Sequence, residues 1–199
     1  MSSGESETRT RILEATRRLT EEHRGQGVRM RDVAEAAGIS RQAVYDHFGS
    51  RAKLLVETTH YVDGVRGLEE RRRHFREATT GVGRLEAYVE FWGNYIPEAY
   101  GMAKALLVAR ETDEAAAAAW DDRMSAVRES CRRTIEALHR DGMLAPEWSR
   151  DVAVDLMWTM LSIPNWEQLT TECGWSTDQY VSRMQKLLKR TLVREPQGT

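Results

Sequence analysis

A tight turn between two short helical segments constrains this chain more than any other feature. In the run Val28 to Phe48, Val33, Ala34 and Ala37 give a first helix a narrow apolar face, and the alanines let a second helix pack closely across it. Gly38 supplies the left-handed conformation that ends a helix sharply. Ile39 plugs the corner, Ser40 is a favoured N-cap, and Val44 and Phe48, four residues apart, turn inward. This is the layout of a DNA-reading helix-turn-helix.

The outward positions of the second helix are Arg41, Gln42, Ala43, Tyr45 and His47. Arginine and glutamine make bidentate hydrogen bonds to guanine and adenine, and a small alanine packs beside a thymine methyl. Arg41 and Gln42 are therefore the expected base-edge contacts.

Val44-Tyr45-Asp46-His47-Phe48-Gly49-Ser50-Arg51, with an amphipathic helix before it and another helix after it, resembles the TetR family of one-component transcriptional regulators. The resemblance is motif-grade over roughly the first quarter of the chain and architectural beyond it. It implies contacts to phosphate or groove edges from Tyr45 and His47. Arg51 stands where the family often has lysine, and there a cation and free backbone N–H groups grip a phosphate. Arg29 departs from the pattern, because threonine often caps the second helix at this place; arginine reaches a phosphate but cannot cap. The expected DNA-binding set is thus Arg29, Ser40, Arg41, Gln42, Ala43, Tyr45, His47 and Arg51.

At 199 residues the chain suits one DNA-binding module and one helical domain. A net charge of −2 excludes a generally basic coat, so attraction to phosphate must be local. Between Arg24 and Lys53 it is: Arg24, Arg29, Arg31, Arg41, Arg51 and Lys53 outnumber Asp32, Glu35 and Asp46. Cys131 and Cys173 are far apart and lack metal-ligand spacing, which reads as two reduced thiols. No segment approaches the roughly 18 consecutive apolar residues of a membrane span, and the polar start has no apolar signal core. A cytoplasmic protein without membrane association or cofactor is expected.

The periodicity is helical throughout, and the expected fold is all-α: an N-terminal three-helix DNA-binding domain, residues 1–53, and a C-terminal helical effector-binding and dimerisation domain, residues 54–199. After a short disordered arm, a helix runs from Thr8 to about His23 with Ile12, Ala15, Thr16 and Leu19 on one face, and Arg9 and Arg11 near its start are possible phosphate contacts. Ser50 caps a long fourth helix to about Glu77 that buries Leu54, Leu55, Thr58, Tyr61, Val62 and Val65. The run Arg71-Arg72-Arg73 reads as a solvated face. Gly81-Val82-Gly83 breaks the pattern at a junction. One stripe follows before Pro97 and another after it, then a long helix from about Asp113 to Asp141 ended by Gly142, a helix with Pro146 in its first turn that Pro164 interrupts, and a last helix through Leu192.

Trp92, Tyr95, Met102, Trp120, Met124, Met157, Trp158 and Trp166 bring flat rings and soft thioethers that suit an adaptable ligand cavity, or equally a plain core. The family resemblance favours a pocket for a small-molecule effector. The expected ligand set is Trp92, Tyr95, Met102, Arg110, Trp120, Met124, Met157 and Trp158, with Glu90, Asn94 and Glu111 as further polar anchors. The resemblance also implies a two-fold homodimer on an inverted-repeat double-stranded DNA operator, with Met160, Leu161, Met184, Leu187 and Leu188 at its interface; the alternative is that these five close the monomer's own core. One rival reading is an enzyme: Glu57-Thr58-Thr59-His60 and Glu136-Ala137-Leu138-His139 have the Glu-x-x-His spacing of helical di-iron carboxylate oxidases. Both pairs fall off the apolar stripes of their helices, so no metal is expected there. A ligand-independent regulator is a further alternative.

Overall fold

The computed structural model describes residues 3–65 and 67–194. Among these residues the chain forms helices α1 (Ser3–Glu22), α2 (Met30–Ala37), α3 (Arg41–Phe48), α4 (Arg51–Val65), α5 (Leu68–Arg76), α6 (Gly81–Ala109), α7 (Glu114–Arg140), α8 (Arg150–Met160), α9 (Ile163–Glu167) and α10 (Thr177–Leu192). A wider π-type turn, Gln168–Glu172, follows α9, and Leu144 and Val193 form an isolated antiparallel bridge. The expected all-α fold is the fold observed.

Several boundaries differ from the periodicity. Helix α1 begins at Ser3 rather than Thr8, with Glu5 in its first turn where a negative charge favours the helix dipole. The fourth helix stops at Val65. Gly67 then takes a left-handed φ of 58°, and α5 starts anew. Val65, expected inside, is 63% exposed at the end of α4. Pro97 sits within a continuous α6, although its ring removes one helical N–H. Pro146 lies in a turn closed by a Trp148 N–H to Ala145 O bond of 3.2 Å; α8 begins later, where the Ser149 hydroxyl accepts from Val152 N–H at 3.3 Å. Pro164 does interrupt the run, in the first turn of α9.

The chain divides into two compact units that do not follow it in two consecutive pieces. One holds residues up to Leu68 together with Glu98–Arg123; the other holds Glu69–Pro97 and the chain from Met124 onward. In the first, Ile12 and Leu13 of α1, Val28, Met30 and Val33, and Val44 and Phe48 of α3 form a continuous core with Leu54 of α4. Burying each such side chain stabilises by about 1.5–3 kcal/mol relative to exposure. The end of α1 also lies hard against α6: Gly25, at φ 76°, faces the Gly101 carbonyl, and Gly101 faces the Thr20 carbonyl, so a side chain at either would meet backbone.

The second unit packs the first half of α6 against α5, α7 and α10. Phe75 meets the Tyr88 ring edge-on at 5.0 Å, and Gly81 and Gly93 admit the α7 backbone at Leu138 and the side chains of Tyr180 and Val181. The arginine run of α5 is engaged within this unit: Arg71 lies over the Tyr95 ring, 5.7 Å from its centroid, and Arg72 and Arg73 pair with Glu69 and Glu70. Trp148 donates to Thr191 O at 2.8 Å and ties the α7–α8 loop to α10.

Candidate nucleic-acid interface

The reading head is fixed by caps at both ends of two eight-residue helices. At the start of α2, the Asp32 carboxylate accepts from Arg29 N–H at 3.2 Å; Arg29 itself has no acceptor and does not cap, as expected. At its end Gly38 takes φ 68°, with Gly38 N–H bonded to Glu35 O and Ile39 N–H to Ala34 O. Ile39 is half-buried against the core, and the Ser40 hydroxyl accepts from Ala43 N–H at 3.1 Å to start α3. Gly49, at φ 72°, closes α3 with a 2.7 Å bond to Tyr45 O, and the Ser50 hydroxyl accepts from Lys53 N–H at the start of α4.

With Val44 and Phe48 buried, α3 presents Arg41 and Gln42 to solvent and leaves Ala43, Tyr45 and His47 half-exposed. Both long side chains already have partners. The Arg41 guanidinium lies 5.4 Å from the Tyr45 ring centroid and Gln42 donates to the Asp46 carboxylate at 2.9 Å. An open groove of about 540 Å³ beside α3 is lined by Arg29, Arg31, Arg41 and Arg51 with Tyr45, and among the described residues no carboxylate lines it. The Arg51 Nε donates to Val28 O at 3.0 Å, which locks the start of α4 to the loop before α2. The structure thus brings Arg29, Arg41, Tyr45 and Arg51 together and adds Arg31, whose place beside Arg29 at the start of α2 was the available signal. Arg9 is turned inward: it lies over the Phe48 ring at 5.3 Å and pairs with Glu57, whereas Arg11 is exposed.

The expected ligand residues do not all share one unit. Met102, Arg110 and Trp120 belong to the first, where Thr20 donates to the Met102 sulfur at 2.9 Å and the exposed Arg110 lies 5.7 Å from the Trp120 ring centroid. Trp92, Tyr95, Met124, Met157 and Trp158 belong to the second. There Met157 is fully buried, while Trp158 is half-buried under Arg128, 5.3 Å from its ring centroid. The Trp92 Nε1 and the Tyr180 hydroxyl are both buried, and the indole N–H faces the Tyr180 oxygen, a pairing that sequence reasoning missed because it needs α6 and α10 side by side. Burial pushes the Tyr180 and Tyr88 hydroxyls well above the ordinary phenol range and the Cys131 thiol up to about 12.

Of the expected interface residues, Leu161, Met184 and Leu188 are at most 3% exposed inside the chain's own core. Side chains closed over by their own unit have no face for a partner, so the helix surface of α8 and α10 rests on Leu187 and Val152, each 44% exposed, and the half-buried Met160. The enzyme residues do not share one unit either. Glu57 is held by Arg9, His60, Glu136 and His139 are exposed, and the two pairs fall in different units.

Such a head, a capped helix-turn-helix with a cationic groove along its second helix, defines a class of DNA-binding regulator. Residues 12–58 match the family model described as bacterial regulatory proteins of the tetR family. Among curated relatives, the HTH-type transcriptional repressor AcnR of Corynebacterium efficiens is 43% identical over 49 residues, which span 25% of this chain and 26% of AcnR. The whole fold also has solved counterparts. A chain from Saccharomonospora viridis in complex with choline has a TM-score of 0.81 at 18% identity, covering 96% of this chain and 100% of that one. The transcriptional regulator FadR of Bacillus subtilis in complex with stearoyl-CoA has a TM-score of 0.72 at 11% identity, covering 92% and 98%.

Proposed function

We propose that the chain is a sequence-specific transcriptional repressor that acts in the cytoplasm as a homodimer on an inverted-repeat operator and is released by a small-molecule effector. The observation that carries this reading is the pair Arg41 and Gln42, exposed on the first turn of α3 beside a groove lined by four arginines. Arg41 and Gln42 read base edges once they exchange Tyr45 and Asp46 for guanine and adenine. Arg29, Arg31 and Arg51 hold phosphates, and Tyr45, His47, Ala43 and the capped Ser40 line the contact. In this reading residues 1–53 are the DNA-binding domain and 54–199 the effector and dimerisation domain.

One head touches too few bases for tight binding, so two are required, and the exposed Leu187 and Val152 supply an apolar contact for a second copy. The effector enters the aromatic and methionine-rich unit around Trp92, where the buried indole N–H and the Tyr180 hydroxyl, which face each other, would turn to orient a polar group. That similar folds hold choline and stearoyl-CoA supports a small-molecule role without fixing its chemistry. Among the described residues no helix is long and apolar enough to cross a membrane. Selection from a randomised duplex library tests the proposal. An enriched inverted repeat is the expected result, and no enrichment at low salt would reduce the helix-turn-helix to a packing motif.

A further inference from the structure

The second unit holds a cationic recess that the DNA reading leaves unused. An open cavity of about 490 Å³ is lined by Arg84 on the first turn of α6, Arg133 and Arg140 on the last turns of α7, and Arg150 at the start of α8. Among the described residues, His139 and a single carboxylate, Glu136, complete its polar wall.

Two of these arginines have local partners. Arg133 bonds Glu129 at 2.9 Å, and Arg140 bonds Asp141 at 3.2 Å. Arg84 has none of that kind: its Nη1 donates to a neutral carbonyl, Arg76 O, at 3.2 Å, its guanidinium lies over the Phe75 ring, and its buried Nε has no partner. Arg150 forms no ion pair among the described residues. Burial first, and then the charges of Arg133, Arg140 and Arg76, hold Arg84 below the ordinary arginine value, which marks a field that its neighbours do not neutralise. Guanidinium groups drawn together in this way are relieved by an oxyanion that each can grip with parallel N–H bonds.

We propose that this recess binds a small molecule carrying two or more negative charges on phosphate or carboxylate oxygens, with Arg84 and Arg150 as its principal contacts. The cavity is larger than one phosphate group requires, and its single carboxylate opposes the ligand. The assignment does not depend on the DNA reading, since every lining residue lies in the second unit.

Calorimetric titration of the full chain with pyrophosphate and, separately, with succinate tests it, at fixed ionic strength in a chloride background. Because the arginines of the head groove also attract phosphate, the expected result is a saturating site for at least one of them that persists when Arg31 and Arg41 are replaced, and the tighter anion at that site identifies phosphate or carboxylate as the recognised group. Arg84→Gln and Arg150→Gln should each weaken it about tenfold or more, since each removes one charge-assisted grip. Glu136→Gln should tighten it a few-fold. Arg150 is exposed, so its replacement spares the core and keeps the test decisive if Arg84→Gln does not fold. A double variant of the reading head, Arg31→Gln with Arg41→Gln, should leave the affinity unchanged. Absence of saturation with both anions, indifference to Arg84→Gln and Arg150→Gln, or loss of binding in the head variant would each overturn the assignment.

Discussion

Helices α2 and α3 are eight residues each and are held at their ends, by Asp32 and Gly38, and by Ser40 and Gly49. Helices α6 and α7 run 29 and 27 residues, and what fixes them is lateral: Gly81 against the backbone at Leu138, and Gly93 against Tyr180 and Val181. The turn of the reading head is therefore set by contacts within a few residues, while the helical body depends on contacts between residues far apart in sequence. The first kind tolerates few changes, because a cap or a turn glycine has one place; the second is satisfied by many combinations of apolar side chains. Among the comparisons, 43% identity extends over 49 residues, and the whole fold is matched at 18%.

The largest expected effect lies in the body and separates core from surface on one helix. Leu188 is fully buried, and Leu188→Ala should cost about 2–5 kcal/mol of unfolding free energy in urea. Its neighbour Leu187 is 44% exposed, and Leu187→Ala should change the stability of the chain by only about 0.5 kcal/mol while weakening self-association, measured by light scattering. Equal losses from both would mean that α10 has no free apolar face, and the dimer proposal would lose its support.

Next is the head. Arg41→Ala should cost about 1–3 kcal/mol in operator affinity and relax preference at one base position. Arg31→Ala should weaken binding on every sequence alike and lower the salt slope by about one unit. If the two variants behaved alike, Arg41 would be a phosphate contact and the base-reading role would fall to Gln42.

What was legible in the sequence follows the same division. Gly38, Ser40, Val44 and Phe48 were readable because each acts within one or two turns of itself, and the structure finds all four in the expected roles. The break at Gly67 was missed because the apolar pattern runs on past it, and the π-type turn at Gln168–Glu172 has no period of its own. Leu161, Met184 and Leu188 looked like an interface because a stripe on a helix does not reveal which helix covers it. The groove arginines were visible as composition, but the cationic recess was not, since Arg84 and Arg150 lie 66 residues apart in the numbering and meet only through the packing of α6, α7 and α8.

Caps allow a matched comparison of head and body. Ser40→Ala and Ser176→Ala each remove one hydroxyl that accepts from a backbone N–H, and each should cost about 1 kcal/mol, within the usual 0.5–2. Ser40→Ala should also weaken operator binding, because it loosens the turn that carries Arg41 and Gln42, whereas Ser176→Ala should leave it unchanged. Anisotropy titrations on one duplex separate the two.

The smallest effect is a pH dependence in the body. Asp141 follows the C-terminus of α7, where a negative charge is unfavourable to that helix, yet its carboxylate accepts from Gly81 N–H at 2.6 Å at the N-terminus of α6, where it is favourable. The Gly81 bond, helped by Arg140, holds the carboxyl below the ordinary aspartate value. A group depressed in the folded state contributes its stability above the unfolded value and loses it as pH falls through the lower folded value. Asp141→Asn should therefore be slightly less stable than the parent chain at neutral pH, and the gap between their urea midpoints should close as the solution is acidified. A gap of constant size down to acid pH would mean that the amide N–H recognises the shape of the side chain and not its charge, and that α6 is anchored at Gly81 by geometry alone.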